Sequence, residues 1–253
     1  MAKCSACMVL YHSGLEAMTA IDCLDKSDLP VDLYVVDNTP QDDLAERIHW
    51  SYPAVTILPQ QKNLGFGRGN NAVLDRLDSD YHLLLNPDVR FEPGLLSRMI
   101  AYMDCHPNIA ILTPRVFSED GSEQFLPKQQ PTVRFLLGGL FERFGNPFKA
   151  WRADYTMANR SIRQPISVEF ATGCFLLIRT PVFLELNGFD ERFFLYQEDS
   201  DLSRRAMNYG AIVYHPDMQI THSWRRENVH TARGRMRQLV SMMKFFRKWG
   251  LRW

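Results

Sequence analysis

Through the first half of the chain, short apolar runs alternate with amphipathic stretches of helical period, the arrangement of βαβ units feeding a mostly parallel sheet. The apolar runs at 8–11, 33–36, 55–58, 81–85 and 109–112 predict strands. Residues 15–24, 42–50, 68–77 and 93–105 predict helices, the last opened by Pro93 in its first turn, where a missing N–H does no harm. Polar residues mark the strand ends: Asp37-Asn38 closes the second and Asn86-Pro87-Asp88 the fourth. Ligands of open α/β sheets bind at such carboxyl ends.

The second half follows a different rule. Residues 115–165 scatter prolines, glycines and charges around one apolar patch at 133–144, and predict loops with a helix. A strand-like run at 168–178 is interrupted by Thr172-Gly173-Cys174. A short helix is expected at 181–186, a longer one at 199–209, a strand at 212–214 and a terminal helix over 229–249. With no internal repeat or low-complexity linker, the pattern predicts one α/β domain over 1–253, its halves meeting near 114.

Composition narrows the function classes. Twenty-nine basic residues balance 29 acidic ones, which argues against generic nucleic-acid binding. The balance is uneven, with nine acids against three bases in residues 1–60, and nine bases against Glu227 alone from Arg225 onward. No apolar run reaches the roughly 18 residues needed to cross a bilayer, so any membrane contact is expected to be peripheral. The terminal helix offers such a contact. Met236, Leu239, Val240, Met243 and Phe246 recur at helical spacing beside Arg235, Arg237, Lys244, Arg247 and Lys248. This face either packs on the domain or meets anionic lipid, with Trp249 and Trp253 as interfacial anchors. Five scattered cysteines and no secretory leader predict a reduced, cytoplasmic setting. Cys4-x-x-Cys7 lacks partners for a zinc set and reads as two small strand residues.

Four stretches can carry chemistry, each with a plain structural alternative. Asn63-Leu64-Gly65-Phe66-Gly67-Arg68-Gly69-Asn70-Asn71 opens a helix, where free N–H groups and Arg68 suit a diphosphate; the alternative is a tight strand-to-helix turn. Asp88 ends a strand as a ligand for a hard cation, or simply caps a Pro-Asp turn. Glu198, Asp199 and Asp201 crowd a helix start, which capping alone does not need, although Asp201 is spaced for a pair with Arg205. A carboxylate there stays ionised, as a general base must. His222 precedes Arg225 and Arg226, which complement a diphosphate; a lone histidine is also an ordinary structural residue.

In order and spacing these stretches resemble glycosyltransferase family 2, and within it bacterial rhamnosyltransferases of O-antigen and other cell-surface polysaccharides. The residues that carry the resemblance are Val36-Asp37-Asn38, Asn63-x-Gly65-x-x-x-Gly69-x-Asn71, Leu85-Asn86-Pro87-Asp88-Val89, Thr172-Gly173-Cys174-Phe175, and Asn187-Gly188-Phe189-Asp190 running into Glu198-Asp199-x-Asp201-Leu202-x-x-Arg205. The resemblance implies a GT-A fold, a Rossmann-like sheet flanked by helices, with a nucleotide-sugar-binding half at 1–114 and an acceptor-binding half at 115–253. It implies a nucleoside-diphosphate sugar donor, dTDP-β-L-rhamnose in that branch, and inversion at the anomeric carbon. The acceptor implied is a saccharide or polyprenyl-diphosphate-linked sugar, met at the inner face of the cytoplasmic membrane.

Carried over by residue, Asp199 resembles the catalytic base, with Glu198 beside it. Donor contacts are implied for Tyr11, Asp37, Asn38, Asn63, Gly65, Arg68, Asn71, Asn86 and Arg225, and acceptor contacts for Gly173 and Asp201. Asp88 resembles the metal-binding member of the DxD motif, with His222 completing a Mg²⁺ or Mn²⁺ site. Two departures stand out. Asn86 replaces the first acid of DxD, and Tyr11-His12-Ser13 replaces a commoner Tyr-Asn. Two other functions stay open on sequence: a sugar nucleotidyltransferase, against which the absence of a Gly-rich, Arg- and Lys-bearing first loop counts, and a non-catalytic nucleotide-sugar-binding assembly subunit, which need not keep Glu198-Asp199.

Overall fold

A computed structural model describes residues 2–39, 41–223 and 231–253. Its first half is built as the pattern predicts. Strands β1 (Cys4–Leu10), β2 (Val31–Asp37), β3 (Thr56–Pro59) and β4 (Tyr81–Leu85) lie in the order β3-β2-β1-β4, all parallel. Helices α1 (Glu16–Asp25), α2 (Leu44–Ser51) and α3 (Phe66–Asn71) connect them. The register sets Leu10 opposite Asp37 and Met8 opposite Leu85, so three strands end nearly level and present their following loops along one edge.

Beyond β4 the sheet changes character. It continues through β5 (Val89–Phe91), α4 (Leu95–Cys105), β6 (Ile109–Phe117), α5 (Val133–Phe141), α6 (Phe148–Tyr155), β7 (Ile166–Ser167), β8 (Phe175–Arg179), α7 (Thr180–Glu185), α8 (Glu198–Ala206), β9 (Ala211–His222) and α9 (Ala232–Trp249). The strand order ends β4-β8-β6-β9-β5, with β7 also on β9. β8 runs against both β4 and β6, and β5 and β7 run against β9, so the sheet is mixed rather than mostly parallel.

Alternation along β1 explains two cores. Cys4, Ala6, Met8 and Leu10 face a cluster with α1, α2 and α4, whereas Cys7 faces the opposite cluster with Phe183 of α7 and Leu202 and Ala206 of α8. Cys4 and Cys7 therefore point to opposite faces and cannot share a metal; burial pushes the Cys4 thiol up to about 12.

Several expected boundaries move for physical reasons. β1 begins at Cys4, because a strand covered on both faces needs no polar alternation to show itself. The helix expected over 68–77 stops at Asn71 and gives way to a 3₁₀ turn at Leu74–Arg76. The run at 168–178 is a strand only from Phe175; Thr172-Gly173-Cys174 is an open loop. β9 extends over 12 residues, through Pro216, where its pairing with β6 shifts register between Pro114 and Arg115. Residues 133–155 form two helices rather than one.

α9 packs on the domain through Ser241, Met242 and Phe245, leaving Met236, Leu239 and Met243 exposed. Trp249 is not an interfacial anchor. Its indole N–H donates to Asp201 at 2.8 Å, and the Arg204 guanidinium lies 4.3 Å above its ring. The same Asp201 is fully buried and accepts from Arg205 Nε at 2.8 Å and Lys248 Nζ at 2.6 Å. Both its oxygens are engaged, which corrects the expected acceptor contact at Asp201: this carboxylate ties α8 to α9.

Candidate active site

Asp88 and His222 are brought together by the register of β5 on β9, in which Val89 lies opposite His222 and Ser223 N–H donates to the Asp88 carbonyl at 2.9 Å. His222 Nε2 then sits 3.2 Å from Asp88 Oδ1 and 3.4 Å from the Asn86 amide nitrogen. On the far side of the ring, Nδ1 lies 3.0 Å from Gln124 Oε1, while Gln124 Nε2 donates to the His222 carbonyl at 2.7 Å. That second bond fixes the amide orientation, so Oε1 accepts and Nδ1 carries the proton. Nε2 is thus the ring atom that faces the Asp88 carboxylate and the Asn86 amide. The donor set, one carboxylate and one imidazole with an outer-shell amide, fits a divalent cation completed by phosphate oxygens and water. Among the described residues no third His, Cys, Asp or Glu joins the pair.

Two residues link this corner to the acidic pair. Asn86 N–H donates to the Cys174 carbonyl at 2.8 Å, and the preceding Gly173 N–H points to Asp199 Oδ2 at 3.3 Å. A Cβ on Gly173 would lie 3.0 Å from the Phe66 ring and 3.6 Å from Asp199 Cβ, so a larger residue here would have to displace the Phe66 ring. Tyr196 and Gln197 both adopt left-handed backbone, at φ 70° and 68°, turning the chain sharply into α8. Non-glycine residues held there cost about 1–3 kcal/mol each, strain that the launch of Glu198 and Asp199 explains.

Burial raises both carboxyls, against different opposing groups. Burial, and then the charge of Asp199, raise Glu198, whose Oε2 has no hydrogen-bond partner; Glu198 is the member that keeps a proton. Burial also raises Asp199, but Lys128 and the Gly173 N–H oppose it. Lys128 Nζ reaches Thr172 Oγ1 at 3.3 Å and lies 4.8 Å above the Phe170 ring, while its backbone pairs with Phe170. Lys128, Gln124 and Tyr155, whose buried hydroxyl senses the charge of Asp199, were not singled out from sequence; all three lie in the irregular 115–165 stretch.

Lys128→Met is expected to lower kcat about tenfold and to move the acid limb of the kcat profile to higher pH. The sign follows from the base having to be ionised: removing a nearby cation raises the Asp199 carboxyl further. Lys128→Arg should restore both values; an unmoved acid limb in Lys128→Met would remove Lys128 from this role.

At the opposite end of the edge, Asp37 is buried as the last residue of β2 and accepts from Thr39 N–H at 2.8 Å, burial raising its carboxyl against that bond. The Asn38 amide nitrogen donates to the Gly65 carbonyl at 3.2 Å and lies 3.4 Å from Asn63 Oδ1; Asn38 Oδ1 is buried without a partner. Tyr11 is half-exposed in the loop after β1, its ring 4.4 Å from that of His12. The glycine stretch is a tight turn, not an open phosphate cradle. Gly65 N–H donates to Asn63 Oδ1 at 2.8 Å and Phe66 N–H to the Phe194 carbonyl at 3.2 Å. Gly65 has φ 83°, and a Cβ there would fall 2.1 Å from Phe194 O. Arg68 pairs with Glu191 at 2.9 Å on the rim. Both ends of the Asn71 amide bond the Phe189 backbone, at 2.8 and 2.9 Å, so Asn71 holds the turn before α8 in place of the expected donor contact. Arg225, with Arg226, lies outside the described residues.

Residues 5–186 match the glycosyl transferase family 2 description. The chain belongs to glycosyl transferase family 2. As a family 2 domain it is 32% identical over 209 residues to N-acetylglucosaminyl-diphospho-decaprenol L-rhamnosyltransferase of Mycobacterium tuberculosis, a match covering 76% of this chain and 66% of that protein. It is 28% identical over 179 residues to rhamnosyltransferase WbbL of Escherichia coli K12, covering 65% and 62%. The matches thus span somewhat less than two thirds of these relatives. The fold also superposes on the mannosyltransferase PcManGT of Pyrobaculum calidifontis, solved with GDP-Man and Mn²⁺, with a TM-score of 0.64 at 12% identity, over 97% of this chain and 64% of that one. The family 2 domain therefore has the GT-A fold its sequence implies, built on a mixed sheet.

Proposed function

We propose that this chain is an inverting rhamnosyltransferase that moves L-rhamnose from dTDP-β-L-rhamnose to a saccharide on a polyprenyl-diphosphate carrier, at the inner face of the cytoplasmic membrane. The observation that carries the reading is the pairing of a base with a leaving-group corner: Asp199 and the Asp88–His222 pair, joined through Gly173 and Cys174. The names of the mycobacterial and Escherichia coli relatives support the sugar and the lipid-linked acceptor.

In this reading Asp199 accepts the proton of the acceptor hydroxyl as its oxygen attacks the anomeric carbon and the bond to the nucleoside diphosphate breaks. Gly173 N–H aims the carboxylate, and with Lys128 it opposes the rise that burial imposes on it. Glu198, protonated below it, adds no second negative charge. Asp37, Asn38 and Tyr11 receive the nucleoside, Arg68 lies on the rim, and Asn63 and Gly65 shape the turn beneath it. Asp88 and His222, with Asn86 in the outer shell, would hold Mg²⁺ or Mn²⁺, which when bound supplies charge neutralisation at the diphosphate. The loop after β1 has no Gly-rich, Arg- and Lys-bearing stretch of the kind a nucleotidyltransferase would use, and a passive binder has no need of Glu198-Asp199.

The test is incubation of the purified chain with radiolabelled dTDP-rhamnose and a polyprenyl-diphosphate-linked N-acetylglucosamine, with Mn²⁺ or EDTA. Label on the lipid supports the reading. Pyrophosphate chemistry, or donor binding without transfer to any acceptor in a panel, overturns it.

A further inference from the structure

The hairpin of α5 and α6 has apolar side chains that the fold does not use. No residue of 133–155 belongs to either core cluster, and the two helices pack on each other. No residue of α6 is buried as a whole, Tyr155 burying only its hydroxyl end. At the tip Leu140 is 52%, Phe141 39% and Phe144 62% exposed. The rings form a continuous ribbon: Phe144 to Phe141 at 6.1 Å, Phe141 to Phe148 at 5.4 Å, Phe148 to Trp151 at 5.4 Å and Trp151 to Trp253 at 6.0 Å. Val133 N–H donates to the Arg252 carbonyl at 2.8 Å, joining the segment after α9 to this surface.

Cations frame the ribbon. Arg143 and Arg252 are exposed beside it, the Arg143 guanidinium 4.8 Å from the Phe144 ring. The inner side of the same hairpin faces inward: Lys149, Arg152 and Thr156 border a cavity of about 520 Å³ together with Gln124, the residue that orients His222. Exposed aromatic and aliphatic tips beside fixed cations match the interfacial zone of a bilayer with anionic headgroups, where rings settle at the boundary and each cation gains from the surface potential. A protein partner or a second copy would be met as well by an apolar face without the cations.

We infer that the α5–α6 hairpin, rather than the outer face of α9, is the element that docks this protein on anionic lipid, placing the cavity beneath it at the membrane surface. The inference goes beyond the proposed reaction and needs no donor sugar to be tested. Purified full chain is floated with vesicles of phosphatidylcholine alone or phosphatidylcholine with phosphatidylglycerol, at low and high salt. Wild type should bind the anionic vesicles and release as salt screens them. Two separate variant pairs guard against misfolding: Leu140→Ser with Phe144→Ser, and Arg143→Gln with Arg252→Gln, all at exposed positions whose melting temperature should match wild type. Each charge removed should weaken anionic-vesicle binding about fivefold. The apolar pair should weaken it by at least tenfold at about 0.8 kcal/mol per buried methylene. Met236→Ser with Met243→Ser on α9 should bind as wild type does. The inference fails if either hairpin pair binds like wild type, if wild type ignores phosphatidylglycerol, or if the α9 pair alone abolishes binding. It fails equally if the hairpin pairs convert a dimer to a monomer in sedimentation, which would assign the face to a second copy.

Discussion

Asp199→Asn is expected to lower kcat on the order of 10³-fold while leaving nucleotide affinity within about twofold of wild type, the signature of a group that acts in the transition state alone. The amide is nearly isosteric, and its carbonyl oxygen can still accept from Gly173 N–H, the bond that aims the wild-type carboxylate at 3.3 Å. What it cannot do is take a proton. The neighbouring Glu198 offers no substitute. It is 5% exposed and packs against α3, its Cβ 3.6 Å from the position a Cβ on Gly67 would take. Loss of the Asp199 charge removes one of the two causes that raise Glu198, so its carboxyl should move down toward the usual range. Initial rates and dTDP titration on the same preparation check both halves. Turnover within tenfold of wild type would take the base role away from Asp199.

The same pair shows how far sequence carries and where it stops. Glu198-Asp199 was legible because three acids at one helix start exceed what capping requires, and because their spacing to Gly188 and Arg205 is family-like. Asp88 and His222 were each weak alone, and what joins them is a strand register 134 residues long in sequence, β5 on β9, where β5 itself is three residues and leaves no periodic trace. Asp201 and Asn71 sit inside the same motifs as the chemical residues, so spacing alone grouped them with contacts to substrate. Their partners separate them: the Asp201 carboxylate is taken up by Arg205, Lys248 and Trp249, and the Asn71 amide by the Phe189 backbone, so each holds elements together. Lys128 and Gln124 were invisible because their roles depend on where an irregular loop crosses the sheet edge, through the Lys128–Phe170 bridge and the Gln124–His222 bonds, and neither leaves a pattern in the chain.

Asp201→Ala should destabilise the protein by about 3 kcal/mol, near the lower end of what removing one partner of a buried ion pair costs. Three groups lose a partner at once: Arg205 Nε and Lys248 Nζ among the charges, and the Trp249 indole N–H. The loss is moderated because Arg205 keeps the carbonyls of Leu186 and Gly188, each at 2.8 Å, and Lys248 keeps Asp190 at 2.7 Å. For a chain of this size the melting temperature should fall by roughly 6–12 °C. Asp201→Asn keeps the shape but turns an amide N–H toward one of these donors, and should cost nearly as much. The deficit belongs to the seam between α8 and α9, so limited proteolysis should open α9 before the parallel strands β1 to β4 are lost. Combined with Lys248→Met, the two losses should not add, because each removes the same contact. An unfolding free energy for Asp201→Ala within about 0.5 kcal/mol of wild type would mean that the buried carboxylate does not hold this seam, and would return Asp201 to the substrate-facing role its motif implied.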